Sequence, residues 1–264
     1  IKFQDVTQLD GGKVKMVFIK MKDDNSVNIQ IPEAECAFDC QFYPDGDDDN
    51  GKISITISLK NMGSNKNMKI FHDKMCELDD KVKEVATKNS VSWLKQKNIT
   101  MDTLESLHAP NIKEHLDSET LLPDGKYPPT FKFAVKKKDG KWLCKFFDIA
   151  RDPIDVNEMD VSTLLPRKCS VQAIIKLTTV WIAGGRFGCS WKAEQLIINP
   201  PKTLNAFAFR DDDSDNEDDT ADMSKLVNSI MDDSSDNSDD ESDDNSNDSD
   251  SDDSDDKSKQ QRKK

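Results

Sequence analysis

The chain has 264 residues, 33% of them charged, and a formal net charge of −14. No run approaches the roughly 18 apolar residues that cross a bilayer, and the start, Ile1-Lys2-Phe3-Gln4-Asp5, lacks the regions of a signal peptide and opens without Met, as a truncated or processed chain would. Six scattered cysteines (Cys36, Cys40, Cys76, Cys144, Cys169, Cys189) in a chain large enough to have a core fit reduced thiols and a soluble intracellular protein, not a disulfide scaffold.

The charge is divided unevenly. From Asp211 to Lys264, 22 acids face 6 bases, a net of −16, whereas the preceding residues carry 29 acids and 31 bases. An acidic polymer tethered to a near-neutral body resembles an intramolecular mimic of nucleic acid, able to compete for a cationic groove or to recruit basic proteins.

Residues 1–60 read as extended. Val14, Met16 and Phe18 alternate with Lys13, Lys15 and Val17, and Ile53, Ile55, Ile57 and Leu59 alternate with Ser54, Thr56 and Ser58, the period of half-buried strands. Between them Asp45-Gly46-Asp47-Asp48-Asp49-Asn50-Gly51 is expected to be a solvated hairpin loop. It has carboxylates at alternate positions like a calcium loop, but Gly51 falls at the seventh place and Thr56 stands where a bidentate Glu belongs.

Residues 70–108 change to helical period. Phe71, Met75, Leu78, Val82, Val85 and Ala86 share one face, Asn89-Ser90-Val91-Ser92-Trp93-Leu94 looks like a capped restart, and Met101 to His108 a further short helix ended by Pro110. Strand patterns return after Pro123-Asp124-Gly125-Lys126-Tyr127-Pro128-Pro129. Phe131, Phe133 and Val135 alternate with Lys132, Ala134 and Lys136; Asp139-Gly140 marks a hairpin, with Trp142 to Ile149 as its returning strand. Val171 to Ala183 and Phe187 to Ile198 form a second hairpin through Gly184-Gly185-Arg186, and Pro200 and Pro201 close the fold. Two strand groups interrupted by helices indicate an α+β, mainly β, arrangement. Beyond about Asp211 the sequence is Asp/Ser/Asn low complexity and is expected to be disordered, except for an apolar island from Met223 to Met231 that could become helical on a partner.

Catalytic constellations are absent from the pattern. His72, His108 and His115 belong to no zinc-hydrolase or nucleophile motif and are expected in surface or satisfied structural roles. Gly184-Gly185-Arg186-Phe187-Gly188 lies between two strands, so it is a hairpin turn and not a phosphate loop. Cys36 and Cys40 lack a second ligand pair, so no metal site and no cofactor is assigned.

What remains is basic and aromatic. Lys132, Lys136, Lys137, Lys138, Lys141 and Lys145 share one hairpin with Phe131, Phe133, Trp142, Phe146 and Phe147; Lys176, Arg186 and Lys192 accompany Trp181, Phe187 and Trp191 in the next. Cations that follow a backbone beside rings that stack on bases are the composition of a single-strand-binding surface. Alternation puts Trp181 on the face of Val171, Ala173, Ile175 and Leu177, and Trp191 two residues from Cys189 and Ala193, so both are expected in the core. Trp142, Phe146 and Phe187, beside turns and lysines, are the ring candidates. The same lysines also fit solvated strand-face charges.

Three blocks, Asn89 to Trp93, Asp124 to Lys132 and Trp181 to Lys192, resemble in order blocks of a protein family of the nucleocytoplasmic large DNA viruses, itself distantly similar to the acidic-tailed single-stranded-DNA-binding proteins of bacteriophages. The resemblance covers about residues 70–198 and the type of tail. It implies an OB-like barrel with inserted helices and single-stranded-DNA binding in viral replication, recombination or repair, and carries over no contact residue. The phage tails end in an aromatic residue, whereas this chain ends Lys257-Ser258-Lys259-Gln260-Gln261-Arg262-Lys263-Lys264.

The expected organisation is an OB-like nucleic-acid-binding domain over residues 1–209, with a helical insertion at about 70–118, and a disordered acidic tail over 210–264 with a basic end. The expected activity is non-enzymatic, sequence-tolerant binding of single-stranded DNA at a viral replication site in host cytoplasm or nucleus. The tail would compete for the groove and contact replication or other basic proteins, with Ser214, Ser234, Ser238, Ser242 and Ser254 as phosphate acceptors beside acids. The contacts expected are Lys132, Lys136, Lys138, Lys141, Trp142, Lys145, Phe146, Lys176, Arg186, Phe187 and Lys192. The alternative is a scaffold of a viral factory or virion, with a homo-oligomerising domain and a multivalent tail.

Overall fold

Runs that alternate apolar with polar residues supply strands with one inward face, and the way those strands pair decides where each face points. A computed structural model describes residues 1–9, 13–120, 122–156 and 159–200. All of them belong to one unit, Ile1–Thr203, and the expected tail lies outside the described residues. Strands β1 (Lys2–Gln8) and β2 (Val14–Lys20) form a hairpin, followed by β3 (Val27–Glu35), β4 (Phe42–Asp45) and β5 (Asp47–Ser58). Helices α1 (Lys66–Lys88), α2 (Ser90–Leu94) and α3 (Met101–Leu107) come next. The chain then returns to β6 (His108–Ala109), β7 (Ile112–Lys113), β8 (Thr130–Lys138), β9 (Lys141–Trp142), β10 (Lys145–Phe147), β11 (Ser170–Ala183) and β12 (Arg186–Asn199).

Five of these strands close a ring. β5 runs antiparallel to β8, β8 meets β12 in parallel at Ala134 and Lys192, β12 is antiparallel to β11, and β11 to β3. An antiparallel bridge from Cys36, one residue past β3, to Ile57 of β5 completes the circuit. The ring therefore reads β3-β5-β8-β12-β11 and back to β3, the connectivity of an OB-like Greek-key barrel, with the helices inserted between its second and third strands. Its interior is filled by Ile53, Ile55 and Ile57 from β5, Phe131, Phe133 and Val135 from β8, Val171, Ala173, Ile175 and Leu177 from β11, and Trp191, Ala193, Leu196 and Ile198 from β12, all buried. Truncating Phe131 or Phe133 to Ala in such packing costs about 3–5 kcal/mol.

α1 starts where Asn65 accepts hydrogen bonds from the Asn67 and Met68 backbone nitrogens, satisfying two of the helix's first donors. Met68, Phe71, Met75, Val82 and Ala86 form its buried stripe, and the Phe71 ring meets Phe131 edge-on at 5.1 Å. Polar Asp79 lies in the same stripe, a departure from the apolar reading that is satisfied by a network with Asn111 and Trp191. None of the described helices is long and apolar enough to cross a membrane.

The structure corrects several strand readings. In β2 the inward residues are Val17 and Ile19, while Phe18 is 44% exposed, because the register sets Val17 against buried Val180 and partly buried Val6. The Asp-rich loop shrinks to a turn at Gly46, and residues 47–50 continue as strand β5. The strand expected from Trp142 to Ile149 breaks: only Lys141 and Trp142 pair with β8, whereas Lys145–Phe147 run parallel to β12. Trp181 leaves the core face. A bulge at Thr178 puts an extra residue in β11 opposite β12, so burial passes from Leu177 to Val180 and Ile182 and Trp181 is half-buried on the other side. At the same point β11 exchanges its neighbour β3 for β2.

Candidate nucleic-acid interface

Because Ile53, Ile55, Phe133 and Val135 point inward, the intervening residues of β5 and β8 must point outward. These are Lys52, Ser54, Thr56 and Ser58 on β5, and Thr130, Lys132, Ala134, Lys136 and Lys138 on β8, with no acid among them. The register sets lysines directly opposite each other. Lys52 faces Lys136, Lys138 faces Lys141 across the β8–β9 hairpin, and Lys176 faces Lys192 across β11 and β12. Lys192 also neighbours Ala134, which joins the last pair to the β8 surface. Like charges in directly opposed positions destabilise a sheet by a few tenths of a kcal/mol up to about 1 each. Glu194, 2.9 Å from the Lys192 ammonium, relieves one of them. Along β8, Lys132 to Lys138 covers roughly 20 Å at about 3.3 Å per residue, enough for a length of extended polyanion instead of a single phosphate.

An exposed ring stands beside this row. Tyr43 of β4 is paired with Lys52, so Tyr43, Lys52 and Lys136 lie side by side on one face, and Tyr43 is 51% exposed. Tyr127, in the loop leading into β8, is also exposed, with the Lys126 ammonium 5.3 Å from its ring centre and His115 edge-on at 4.9 Å. Sequence reading passes over Tyr43 and Lys52 because the Asp-rich segment between them has the composition of a loop. The available signal is local: Tyr43 immediately precedes Pro44, and Lys52 begins the Ile53-Ser54-Ile55-Thr56 alternation.

Of the expected contacts, Lys132, Lys136, Lys138, Lys141, Lys176 and Lys192 come together on this outer surface. Lys145 is exposed on β10 opposite Gln195, at the β12 side. Arg186 does not join them, since it lies at the tip of the β11–β12 hairpin, past the bulge, beside Gly184 and Gly185, whose positive φ angles form the turn. Phe146 and Phe187 are corrected outright. They are 3% and 0% exposed, paired with buried Leu196 and Ile182, and cannot stack on a base. Trp142 is half-buried at the end of the barrel. Its indole meets Phe42 edge-on at 5.8 Å and Phe146 at 6.3 Å, and the Lys137 ammonium lies 5.9 Å from its centre.

On the exposed side of α1 the Cys76 thiol lies 3.9 Å from His72 Nε2, and His72 Nδ1 lies 3.1 Å from Asp73 Oδ1. Cys36, Cys40 and Cys169 are buried at the barrel closure, where the Cys36 backbone donates to the Cys169 carbonyl at 2.8 Å. Among the described residues no group of three or more His, Cys, Asp or Glu is arranged to hold a metal ion.

No protein-family model matches the sequence, and neither does any curated protein. Among solved structures the chain is similar to gp2.5, a single-stranded DNA binding protein encoded by bacteriophage T7, at 12% identity and a TM-score of 0.43, over 75% of this chain and 94% of that one. It is similar also to the single-stranded DNA-binding protein from bacteriophage Enc34 in complex with ssDNA, at 14% identity and a TM-score of 0.40, over 76% and 97% of the two chains. The barrel assignment rests on the strand register and not on these likenesses.

Proposed function

We propose that this protein binds single-stranded DNA non-enzymatically and with little sequence preference, along the outer face of β5 and β8. The observation that carries the reading is the set of opposed lysine pairs, Lys52–Lys136, Lys138–Lys141 and Lys176–Lys192. A sheet that sets like charges against each other is relieved when a polyanion lies between them, and Tyr43 beside the first pair supplies a stacking ring. The position also agrees with the face that OB-type barrels offer to oligonucleotides, their second and third strands. The acidic segment after Asp211 competes for these lysines from within the chain and contacts basic partners, in replication, recombination or repair at a viral replication site.

A gel-shift comparison of single- and double-stranded DNA at two salt concentrations tests the reading. Single strands should be preferred, with binding that falls steeply with salt. Equal affinity for both forms would overturn it and favour the scaffold alternative, to which the face bearing Phe18, Met16 and Trp181 would then offer an apolar surface.

A further inference from the structure

At the end of the β5–β8 face the surface opens into a cleft of about 510 Å³, in the size range of small-ligand sites. Phe42 and Trp142 stand at right angles to one another in its wall, 5.8 Å apart, and the Lys137 ammonium lies 5.5 Å and 5.9 Å from the two ring centres. Gly51 makes room for the Phe42 ring, because a Cβ there would fall 2.6 Å from the ring's Cζ. Asp160 also lines the cleft, with Gln41 and buried Val161. Asp160 Oδ1 accepts hydrogen bonds from the Ser162 backbone nitrogen at 3.0 Å and hydroxyl at 2.6 Å, which fixes the carboxylate and holds its pKa below the usual range. Its Oδ2 accepts no hydrogen bond from the described residues. Lys137 alternates with Lys136 along β8 and Phe42 with Tyr43 along β4, so the cleft lies at the end of the same strands that carry the lysine row but on their reverse face.

Resting on the single-strand reading above, we propose that this cleft is a subsite for one unstacked nucleobase and selects bases that carry an amino group. Extruded bases are held by stacking on aromatic side chains while a polar group reads the pairing edge, and Phe42 and Trp142, packed edge-on against each other, offer one ring wall for a base to lie against. Here the polar group is a carboxylate, which accepts from the amino groups of cytosine, adenine and guanine but is opposed by the carbonyl oxygens of thymine. Lys137 supplies the cation for the adjoining phosphate. The base belongs either to the bound strand or to a free nucleotide, and the two sources are separable.

The test uses the full chain and fluorescence anisotropy with a labelled oligothymidylate and the same oligomer carrying one central cytosine or guanine. The wild type should bind the substituted oligomers roughly tenfold more tightly. Asp160→Asn, which keeps the cap on Ser162, should abolish that preference and leave affinity for oligothymidylate within about twofold. A wild type without preference, or a preference that survives in Asp160→Asn, overturns the subsite while leaving single-strand binding intact. If no oligomer binds, the single-strand reading fails by itself. Titration with dCMP or dGMP, followed by tryptophan emission against a Trp142→Phe blank, then decides the cleft. Saturable quenching lost in Asp160→Asn sustains it for free nucleotide, and no saturable quenching overturns it.

Discussion

Asp79 of α1 and Asn111, between β6 and β7, are joined by two hydrogen bonds inside the protein: Oδ2 accepts from the Asn111 backbone nitrogen at 2.9 Å and Oδ1 from its side-chain nitrogen at 2.7 Å. Asn111 in turn accepts from Trp191 Nε1 at 2.6 Å, so helix, connecting segment and barrel strand share one buried network. His108 Nε2 lies 3.3 Å from Asp79 Oδ1, at an angle too poor for a hydrogen bond. Removing the carboxylate strands a buried backbone donor and a side-chain amide. Asp79→Ala should therefore lower unfolding free energy by about 3 kcal/mol in urea titration.

The bulge at Thr178 separates two tryptophans ten residues apart. Trp191 is 5% exposed in the barrel, whereas Trp181 is half-buried on the outside. Trp191→Ala should cost about 3–5 kcal/mol, and Trp181→Ala clearly less than half of that, by the same denaturant measurement. Equal losses would mean that β11 keeps a single alternation throughout.

The local parts of this fold are legible in sequence. The Ile53, Ile55, Ile57 and Phe131, Phe133, Val135 alternations and the Asp139-Gly140 and Gly184-Gly185 turns depend on residues within a few positions and stand as read, and the apolar stripe of α1 does so apart from buried Asp79 and partly buried Leu78 and Val85. What escapes depends on distant partners. Phe146 and Phe187 have lysines or glycines as chain neighbours, yet their burial follows from pairing with Leu196 and Ile182. Trp181 departs from its expected face because one extra residue shifts the period, which no alternation count registers. Tyr43 joins the candidate face only through its register with Lys52.

Thiol chemistry should follow burial. Burial pushes the Cys144 thiol up to about 12, and Cys36 is raised through its hydrogen bonds with Cys169 and Cys40 and by burial. Cys76 is exposed on α1, although partial burial and the Asp79 charge raise its thiol as well. A raised pKa withholds the reactive thiolate until the pH climbs toward that value. At about pH 8, Ellman's reagent should label Cys76 first and slowly, faster as pH rises, with Cys36 and Cys144 reacting only after denaturation.

The acidic segment should act as a tethered competitor. Truncation after Phe209 removes a net charge of −15, Arg210 included, and at low salt it should raise affinity for a single strand severalfold, with the gap closing as salt screens the competition. Unchanged affinity at low salt would end the competition model and leave recruitment as the tail's role.

The most direct measurement of the central claim is the salt dependence of oligothymidylate affinity for the wild type and for Lys52→Ala/Lys136→Ala/Lys138→Ala. Every phosphate that goes without its lysine should lower the slope of log affinity against log salt by about 0.7, so the triple variant should be shallower by roughly 2 and no less stable, since opposed lysines are removed. Adding Tyr43→Ala should weaken binding by a further 1–3 kcal/mol, roughly, without altering the slope. A triple variant that binds with the wild-type slope would contradict the assignment of the β5–β8 face.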